Sequence, residues 1–343
     1  MGKSYSISNR LLWLDYARGI AFLMVWYSHQ KYSNDNIMAF FTPVFLTMFF
    51  FVSGYLFKSD YSFSKLLEHR TRTLFLPWLI FSLLIIFSEH IIIINPEKHI
   101  TLQKDLLDMF ISIRGKNDRL WFVAALFVMN FPFYFLVKYS KNMKRLLLIA
   151  LIGFLLSSAY YSSWLRLPEL PWYINFIGSG CFYMALGFAY KHYEHKLKKF
   201  ETKTVFFCAL LTYVVFVALR KYVLHLYLIS FNGSDYVIDA LIITLLGIFI
   251  MIYLSKRIKQ EKLILFVGTN SLLYFCLHYQ LRSLMQVVAD KVFVKLALTH
   301  SATIDIVLGV GLTLLGAVIL IVPVILINKY LPFIIGKGFK LYK

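Results

Sequence analysis

The stretch LWLDYARGIAFLMVWYSH at residues 12–29 sets the class of this protein. Most of its positions are apolar, and about twenty such residues let a helix cross roughly 30 Å of hydrocarbon. A cleavable signal peptide does not fit, because the stretch holds Asp15, Arg18 and His29 and no small-residue cleavage site follows it. The stretch therefore predicts a first transmembrane helix that keeps polar side chains.

The rest of the chain has the same character. Of its 343 residues, 59% are hydrophobic and 15% are charged, whereas about a quarter are charged in a soluble domain. Mean hydropathy is +0.69. We predict an all-α polytopic membrane protein with about ten transmembrane helices in a single domain, residues 1–343. The predicted spans are 11–30, 37–57, 73–95, 119–138, 146–165, 173–190, 204–223, 236–255, 264–286 and 303–328.

The basic residues indicate how the helices are oriented. The formal net charge of +19 would suggest nucleic-acid binding in a soluble protein, but here the lysines and arginines lie between apolar blocks. No nucleic-acid partner is therefore predicted. With ten spans, 23 of the 36 lysines and arginines fall on one side, and the positive-inside bias places that side and both termini in the cytoplasm. This predicts a multi-pass protein of the cell (inner) membrane.

The longest outer loop, 96–118, carries a further helical pattern. Leu102, Leu106 and Phe110 recur at helical spacing among charged residues, which predicts a short amphipathic helix at the outer interface.

Several kinds of site are absent from the sequence. The three cysteines lie inside apolar blocks without CxxC spacing, so neither a disulfide nor a metal site is predicted. There is no P-loop, HExxH or GxSxG motif, and no GxGxxG motif after a strand. These absences disfavour a nucleotide-driven pump, a zinc protease and a dinucleotide enzyme.

The first span carries its polar residues on one side. Arg18 and His29 are eleven positions apart, three helical turns plus about 20°, and Asp15 precedes Arg18 by three. An ionisable group inside a span costs several kcal/mol unless it is paired or hydrated, so this stripe predicts a pathway or an active site. The alternative is a packing stripe in which Asp15 and Arg18 pair structurally and His29 lies among lipid headgroups.

The third predicted span has polar residues near both ends. Arg70 and Arg72 lie at its cytoplasmic boundary, where guanidinium groups suit a phosphate-bearing ligand. The alternative is that they only anchor the topology. Glu89 and His90, near the outer end, either meet His29 at the same depth or mark the interface.

The ninth predicted span has one polar face, formed by Asn270, Tyr274 and His278 at intervals of four residues. These residues either line the site or are satisfied core residues.

The fourth predicted span begins with three further candidates, Asp118, Arg119 and Trp121. They are candidates to line a vestibule on the outer side together with these residues, although Trp121 also suits the aromatic belt. Histidine is the best-placed titratable group in the spans, and acid–base catalysis on a hydroxyl is its natural chemistry.

Several motifs together resemble membrane acyltransferase family 3. In that family an arginine and, eleven positions later, a histidine share the first span, and these positions correspond to Arg18 and His29 here. The resemblance covers nearly the whole chain, and the order of the motifs makes the set specific. The matching stretches are RLLWLDYARGIAFLMVWYSH at 10–29, MFFFVSGYLF at 48–57, RTRTLFLPW at 70–78, RLWFVAALF at 119–127 and NSLLYFCLH at 270–278.

This resemblance implies transfer of an acyl group, most often acetyl, from acyl-CoA to a hydroxyl of a cell-surface polysaccharide or lipid-linked glycan. Acetyl-CoA is then the co-substrate, with its phosphates near Arg70 and Arg72 and with Arg18 deeper. His29 acts as general base or accepts the acyl group before passing it on, and Asp15 holds Arg18. The alternatives are a transporter or flippase for a lipid-linked sugar or small acid, and a non-catalytic assembly role.

Overall fold

The computed structural model describes residues 11–91, 101–116, 119–162, 165, 167–226, 237–295 and 301–338. Within these ranges all regular structure is helical. This follows from the composition, because a backbone in lipid must satisfy its own hydrogen bonds. The α-helices are α1 Leu12–Ser28, α2 Asp35–Phe41, α3 Phe45–Tyr55, α4 Phe63–Arg70, α5 Leu76–Ile91, α6 Leu102–Ile111, α7 Trp121–Tyr139, α8 Met143–Tyr160, α9 Ile177–Leu197, α10 Lys203–Ala218, α11 Val237–Ser255, α12 Lys262–Thr269, α13 Ser271–Lys295, α14 Ala302–Ile319 and α15 Ile321–Tyr330.

Seven helical segments in the described ranges are long and apolar enough to cross a membrane. They coincide with the predicted second, third, fourth, fifth, seventh, eighth and tenth spans. The other three predicted positions are also helical, as α1, α9 and the pair α12–α13, but they are not among the seven because they are shorter or more polar. The protein is therefore an integral membrane protein, while ten spans and cytoplasmic termini stay predictions.

Several predicted spans are not uniform α-helices, and two of the irregular segments lie beside predicted site residues. A π-helical segment, Thr71–Phe75, separates α4 from α5 and begins directly after Arg70. The ninth span is interrupted at Asn270, which ends α12 and precedes α13. Wider or broken turns of this kind redirect the side chains around them and are frequent at functional sites.

Helix α1 lies inside the bundle. It contacts α3, α11, α12, α13 and α14, and most of its residues are buried. Its contact with α12 is close because Gly268 lies directly against the carbonyl of Asp15, where a Cβ atom would overlap with the backbone. Small residues that allow such close approach are typical of helix pairs in membranes. This packing fixes the segment of α1 that carries Asp15 and Arg18.

The outside of the bundle is strongly apolar. Leu156, Leu211 and Ile238 are each about two-thirds or more exposed, at 67%, 67% and 72%. A soluble monomer rarely shows a continuous apolar surface, so these faces are expected to contact lipid.

The predicted helix in the outer loop is present as α6. Thr101 caps it, because its side chain accepts a hydrogen bond from the backbone N–H of Lys104. Its packed face includes Asp105 and Met109, while Leu107 and Phe110 are exposed. The helix is thus amphipathic as predicted, and its location at the interface stays a prediction.

Candidate active site with an inner cavity and an outer cluster

Asp15 and Arg18 form the first part of the site. They form an ion pair one turn apart on α1, and the carboxylate is almost completely buried. Arg18 keeps part of its side chain exposed, so the buried carboxylate holds a guanidinium that still reaches open space. The sequence predicted this pairing, which satisfies a charge that would be costly if it were buried alone.

Arg18 and Arg70 line the same cavity, of about 170 Å³, although they lie on different helices. Ser271 adds a hydroxyl, and most of the remaining lining is apolar. Among the described residues, the Nε atoms of both arginines are buried without a hydrogen-bond partner. We call this space the inner cavity. It presents two guanidinium groups to an otherwise largely apolar chamber.

Arg72 does not line the inner cavity with Arg70. It is exposed, lies 3.6 Å from the carboxylate of Glu68, and lines a separate cleft with Lys65 and His69. Residues two apart on a helix point in different directions, so this separation follows from ordinary helix geometry. The paired arginines of the sequence are therefore separated by the fold.

Aromatic rings form one wall of the inner cavity and connect it to His29. Phe122 and Phe275 both line the cavity, with their ring centroids 5.4 Å apart. The ring of Phe275 lies 5.5 Å from that of His278, which in turn lies 5.5 Å from that of His29. Phe275 and His278 thus stand between the cavity and the His29 imidazole.

His278 is buried among aromatic rings. Phe22 and Trp26 of α1 pack against it, with centroid distances of 5.7 and 6.2 Å. Its Nδ1 lies 2.8 Å from the carbonyl oxygen of Phe275. Because a carbonyl only accepts, Nδ1 carries a proton, and in the neutral ring the other nitrogen is an acceptor.

The other two members of the predicted polar face have different surroundings. The Tyr274 hydroxyl donates to the Ala317 carbonyl at 2.8 Å, inside the bundle. Asn270 donates to the Phe266 carbonyl at 2.9 Å and accepts from the amide of Asn328 at 3.0 Å. Of the three residues, the described contacts bring only His278 next to His29.

His29 directly follows α1, and its side chain is exposed. Arg282 of α13 donates through Nη1 to the backbone carbonyl of His29 at 2.7 Å. The next residues also hold the end of α1 to α13, since Lys31 and Tyr32 both bind Asp290, at 3.0 and 2.8 Å. Burial, and then the bond to Asp290, raise the pKa of Tyr32 to about 12, so at neutral pH its hydroxyl stays protonated and donates.

Charged side chains gather around His29. Arg119 forms an ion pair with Glu89 at 2.6 Å, and both Arg119 and Arg282 lie over the ring of Tyr279, at 5.2 and 5.0 Å. Arg114 lies over the ring of Trp121 at 4.2 Å, and both Arg114 and Arg282 act electrostatically on the His29 imidazole. We call His29, Glu89, Arg114, Arg119 and Arg282 the outer cluster.

His90 and Trp121 were also predicted near the outer site, but their described contacts do not make them members of the outer cluster. His90 binds the buried Asp105 of α6 at 2.9 Å, so its described contact joins α5 to the outer loop helix. Trp121 supports Arg114 and also packs against Phe122 and Phe176. Asp118 lies outside the described residues.

Several residues of the site were missed by the sequence reasoning. Arg282 lies four residues after His278, on the same side of a helix, so its position gave a usable signal. Phe122, Phe275 and Tyr279 gave none, because aromatic residues make up 18% of the chain. Arg114 belongs to a loop whose path hydropathy does not predict.

The described residues form a helical membrane domain with a cationic cavity and an exposed histidine, an arrangement suited to a membrane-bound enzyme. The family model described as an acyltransferase domain matches residues 11–324. The chain belongs to acyltransferase family 3, and the protein is a membrane acyltransferase. No curated protein and no solved structure matches the chain.

Proposed function

We propose that the protein is an integral-membrane O-acyltransferase of the cell (inner) membrane. It transfers an acyl group, acetyl in the first instance, from acyl-CoA on the cytoplasmic side. The acceptor is a hydroxyl of a cell-surface polysaccharide or of a lipid-linked glycan. Acyl-CoA and the glycan are the soluble and surface partners, and membrane lipids surround the protein.

The observation that carries this proposal is the shared cavity of Arg18 and Arg70. Two guanidinium groups from different helices suit the phosphates and polar carbonyls of a CoA thioester, because arginine binds such oxygens with several donors. The apolar lining suits the short acyl group. In this arrangement Asp15 positions Arg18, and the donor enters on the side of Arg70.

His29 supplies the acid–base chemistry. As general base it removes the proton from the acceptor hydroxyl while the oxygen attacks the thioester carbonyl. When the tetrahedral intermediate collapses, the carbon–sulfur bond breaks and the CoA thiolate takes the proton from His29. In the second form of the mechanism, the neutral imidazole attacks the thioester carbonyl, the carbon–sulfur bond breaks, and the departing CoA thiolate takes the ring proton. The acceptor hydroxyl then attacks the acyl-imidazole, the nitrogen–acyl bond breaks, and the imidazole takes the hydroxyl proton.

Transfer of label tests the proposal. Membranes containing the protein are given acetyl-CoA labelled in the acetyl group together with envelope glycan. We expect label in the glycan with wild-type protein and none with His29→Ala. His192→Ala is the matched control, because His192 is exposed on α9 and takes no part in the site. Movement of sugar across the membrane without transfer of label would favour the transporter instead.

A further inference from the structure

We propose that the acceptor carries a negative charge close to the hydroxyl that is acylated, and that Arg282 binds this charge. The inference rests on the proposed function and specifies its substrate class. The chemistry is that of a carboxylate or phosphate group on the glycan, as in an acidic sugar or a sugar phosphate. The argument comes from the difference between Arg282 and Arg119.

Arg119 and Arg282 lie over the same aromatic ring but have different partners. Both guanidinium groups lie about 5 Å from the ring of Tyr279, at 5.2 and 5.0 Å. Arg119 is neutralised by Glu89 at 2.6 Å. For Arg282 the described residues provide the carbonyl of His29 and the tyrosine ring but no carboxylate. The Nε atoms of both arginines are buried without a hydrogen-bond partner among the described residues, so the carboxylate is what separates them.

A partly buried guanidinium without a counter-charge is costly, and an anionic ligand removes that cost. Arg282 is also held in place by two contacts before any ligand binds, which lowers the entropy lost on binding. Its remaining donors match the two oxygens of a carboxylate or phosphate. The surrounding cluster is cationic as well, since Arg114 acts on the same region.

The position of Arg282 assigns the anion to the acceptor and not to the donor. Its Nη1 binds the backbone of His29, the residue that acts on the acceptor hydroxyl. Arg18, which lines the donor cavity, lies eleven residues earlier on α1, or about 16 Å along the axis. Phe275 and His278 stand between the two regions. An anion on Arg282 therefore places its neighbouring hydroxyl at His29.

The test measures how Arg282 and the acceptor charge depend on each other. Envelope glycan from producing cells that lack the gene is divided into three portions: untreated, carboxyl-reduced, and dephosphorylated with hydrofluoric acid. Transfer of labelled acetate is measured as kcat/KM for each portion with wild type, Arg282→Gln and Arg282→Lys. Lys291→Gln is the control, because it removes one charge from an exposed position on the same helix.

We expect wild type to prefer the untreated glycan over one treated portion by about tenfold, the effect of one charge-assisted hydrogen bond. The portion that loses activity identifies carboxylate or phosphate as the charge. Arg282→Gln removes the preference, Arg282→Lys keeps part of it, and Lys291→Gln keeps all of it. A general loss of acceptor quality through the treatments would instead reduce transfer equally in every variant.

Two results would overturn the inference. One is equal kcat/KM for all three portions with wild type. The other is a decrease by the same factor on every portion in Arg282→Gln, which would indicate that Arg282 stabilises the tetrahedral intermediate or the fold. Absence of any label transfer by wild type is a different result, because it refutes the proposed transfer of acetyl from acetyl-CoA to envelope glycan on which the inference depends.

Discussion

The inner cavity and the outer cluster both use arginine, but in different surroundings. Arg18 and Arg70 face a largely apolar chamber, with one buried carboxylate holding Arg18. Arg119 and Arg282 lie over an aromatic ring close to an exposed histidine. The first arrangement leaves room for a flexible, charged ligand, whereas the second fixes hydrogen-bond donors in advance. Under the proposed function, the inner cavity binds the donor and the outer cluster positions the acceptor.

The wall between these regions is thin. Phe275 lines the cavity and contacts His278, which contacts His29. If the two ends have separate roles, changes at one end should affect donor binding and changes at the other the chemical step. The following variants test that division.

The largest effect is expected at His29. His29→Gln removes the general base while keeping a polar side chain of similar size. We expect kcat to fall by about 10²- to 10⁴-fold, with little change in the KM for acetyl-CoA. Initial rates at saturating donor and acceptor check this. A large rise in the donor KM would show that His29 belongs to the donor site. The inner cavity and the outer cluster would then not have separate roles.

The next effect separates Arg70 from Arg72. Arg70→Gln removes a cation from the inner cavity, and we expect the KM for acetyl-CoA to rise about tenfold or more. Arg72→Gln is the matched control, because Arg72 is exposed and its described ion pair, with Glu68 across 3.6 Å, lies outside the inner cavity. Because an exposed ion pair of this kind contributes little, we expect the KM for acetyl-CoA to change by less than about fivefold in Arg72→Gln. Equal effects in the two variants would contradict the assignment of the donor to the inner cavity.

A smaller effect is expected at the wall. Phe275→Ala shortens the side chain between the cavity and His278, so water gains access to the thioester. We expect the ratio of two rates to rise about threefold: acetyl-CoA hydrolysis measured without acceptor, divided by acetyl transfer measured with acceptor. Phe275→Leu, which keeps most of the volume, serves as the control for packing. Unchanged hydrolysis in a folded Phe275→Ala protein would indicate that this ring is not a barrier.

The smallest effect is expected at Glu89. Glu89→Gln removes the carboxylate partner of Arg119 but leaves Arg282 and His29 in place. Because Arg119 then becomes a second guanidinium over Tyr279 without this carboxylate, we expect the KM for an anionic acceptor to fall by about threefold at most and the donor KM to stay as it is. Parallel titrations of donor and acceptor measure this. A large fall in kcat would assign Glu89 to the chemical step itself.

The helices were predictable because apolar blocks of about twenty residues have one stable structure in lipid. The stripe of Asp15, Arg18 and His29 was predictable for a related reason, since its spacing depends only on helix geometry within one segment. The predicted ion pair between Asp15 and Arg18 is present. Helical periodicity within one segment was therefore enough to predict the part of the site that lies on α1.

The rest of the site depends on breaks in that periodicity. The π-helical segment after Arg70 and the interruption at Asn270 redirect side chains, and hydropathy does not register either. Contacts between helices far apart in sequence, such as Arg282 with the His29 carbonyl, depend on packing that no single segment encodes. The ion pairs of Lys256 with Glu194 and Glu201, at 2.8 and 2.9 Å, also join separate segments and were not predicted for the same reason.

The central claim is that donor and acceptor meet from opposite sides of the membrane. Proteoliposomes with the protein in one orientation allow a direct test, with envelope glycan on the His29 side and labelled acetyl-CoA, which does not cross the membrane, on the Arg70 side. The account predicts labelled glycan in this arrangement, and its loss in His29→Gln. Label that enters the glycan only when both reactants are on the same side would contradict the claim.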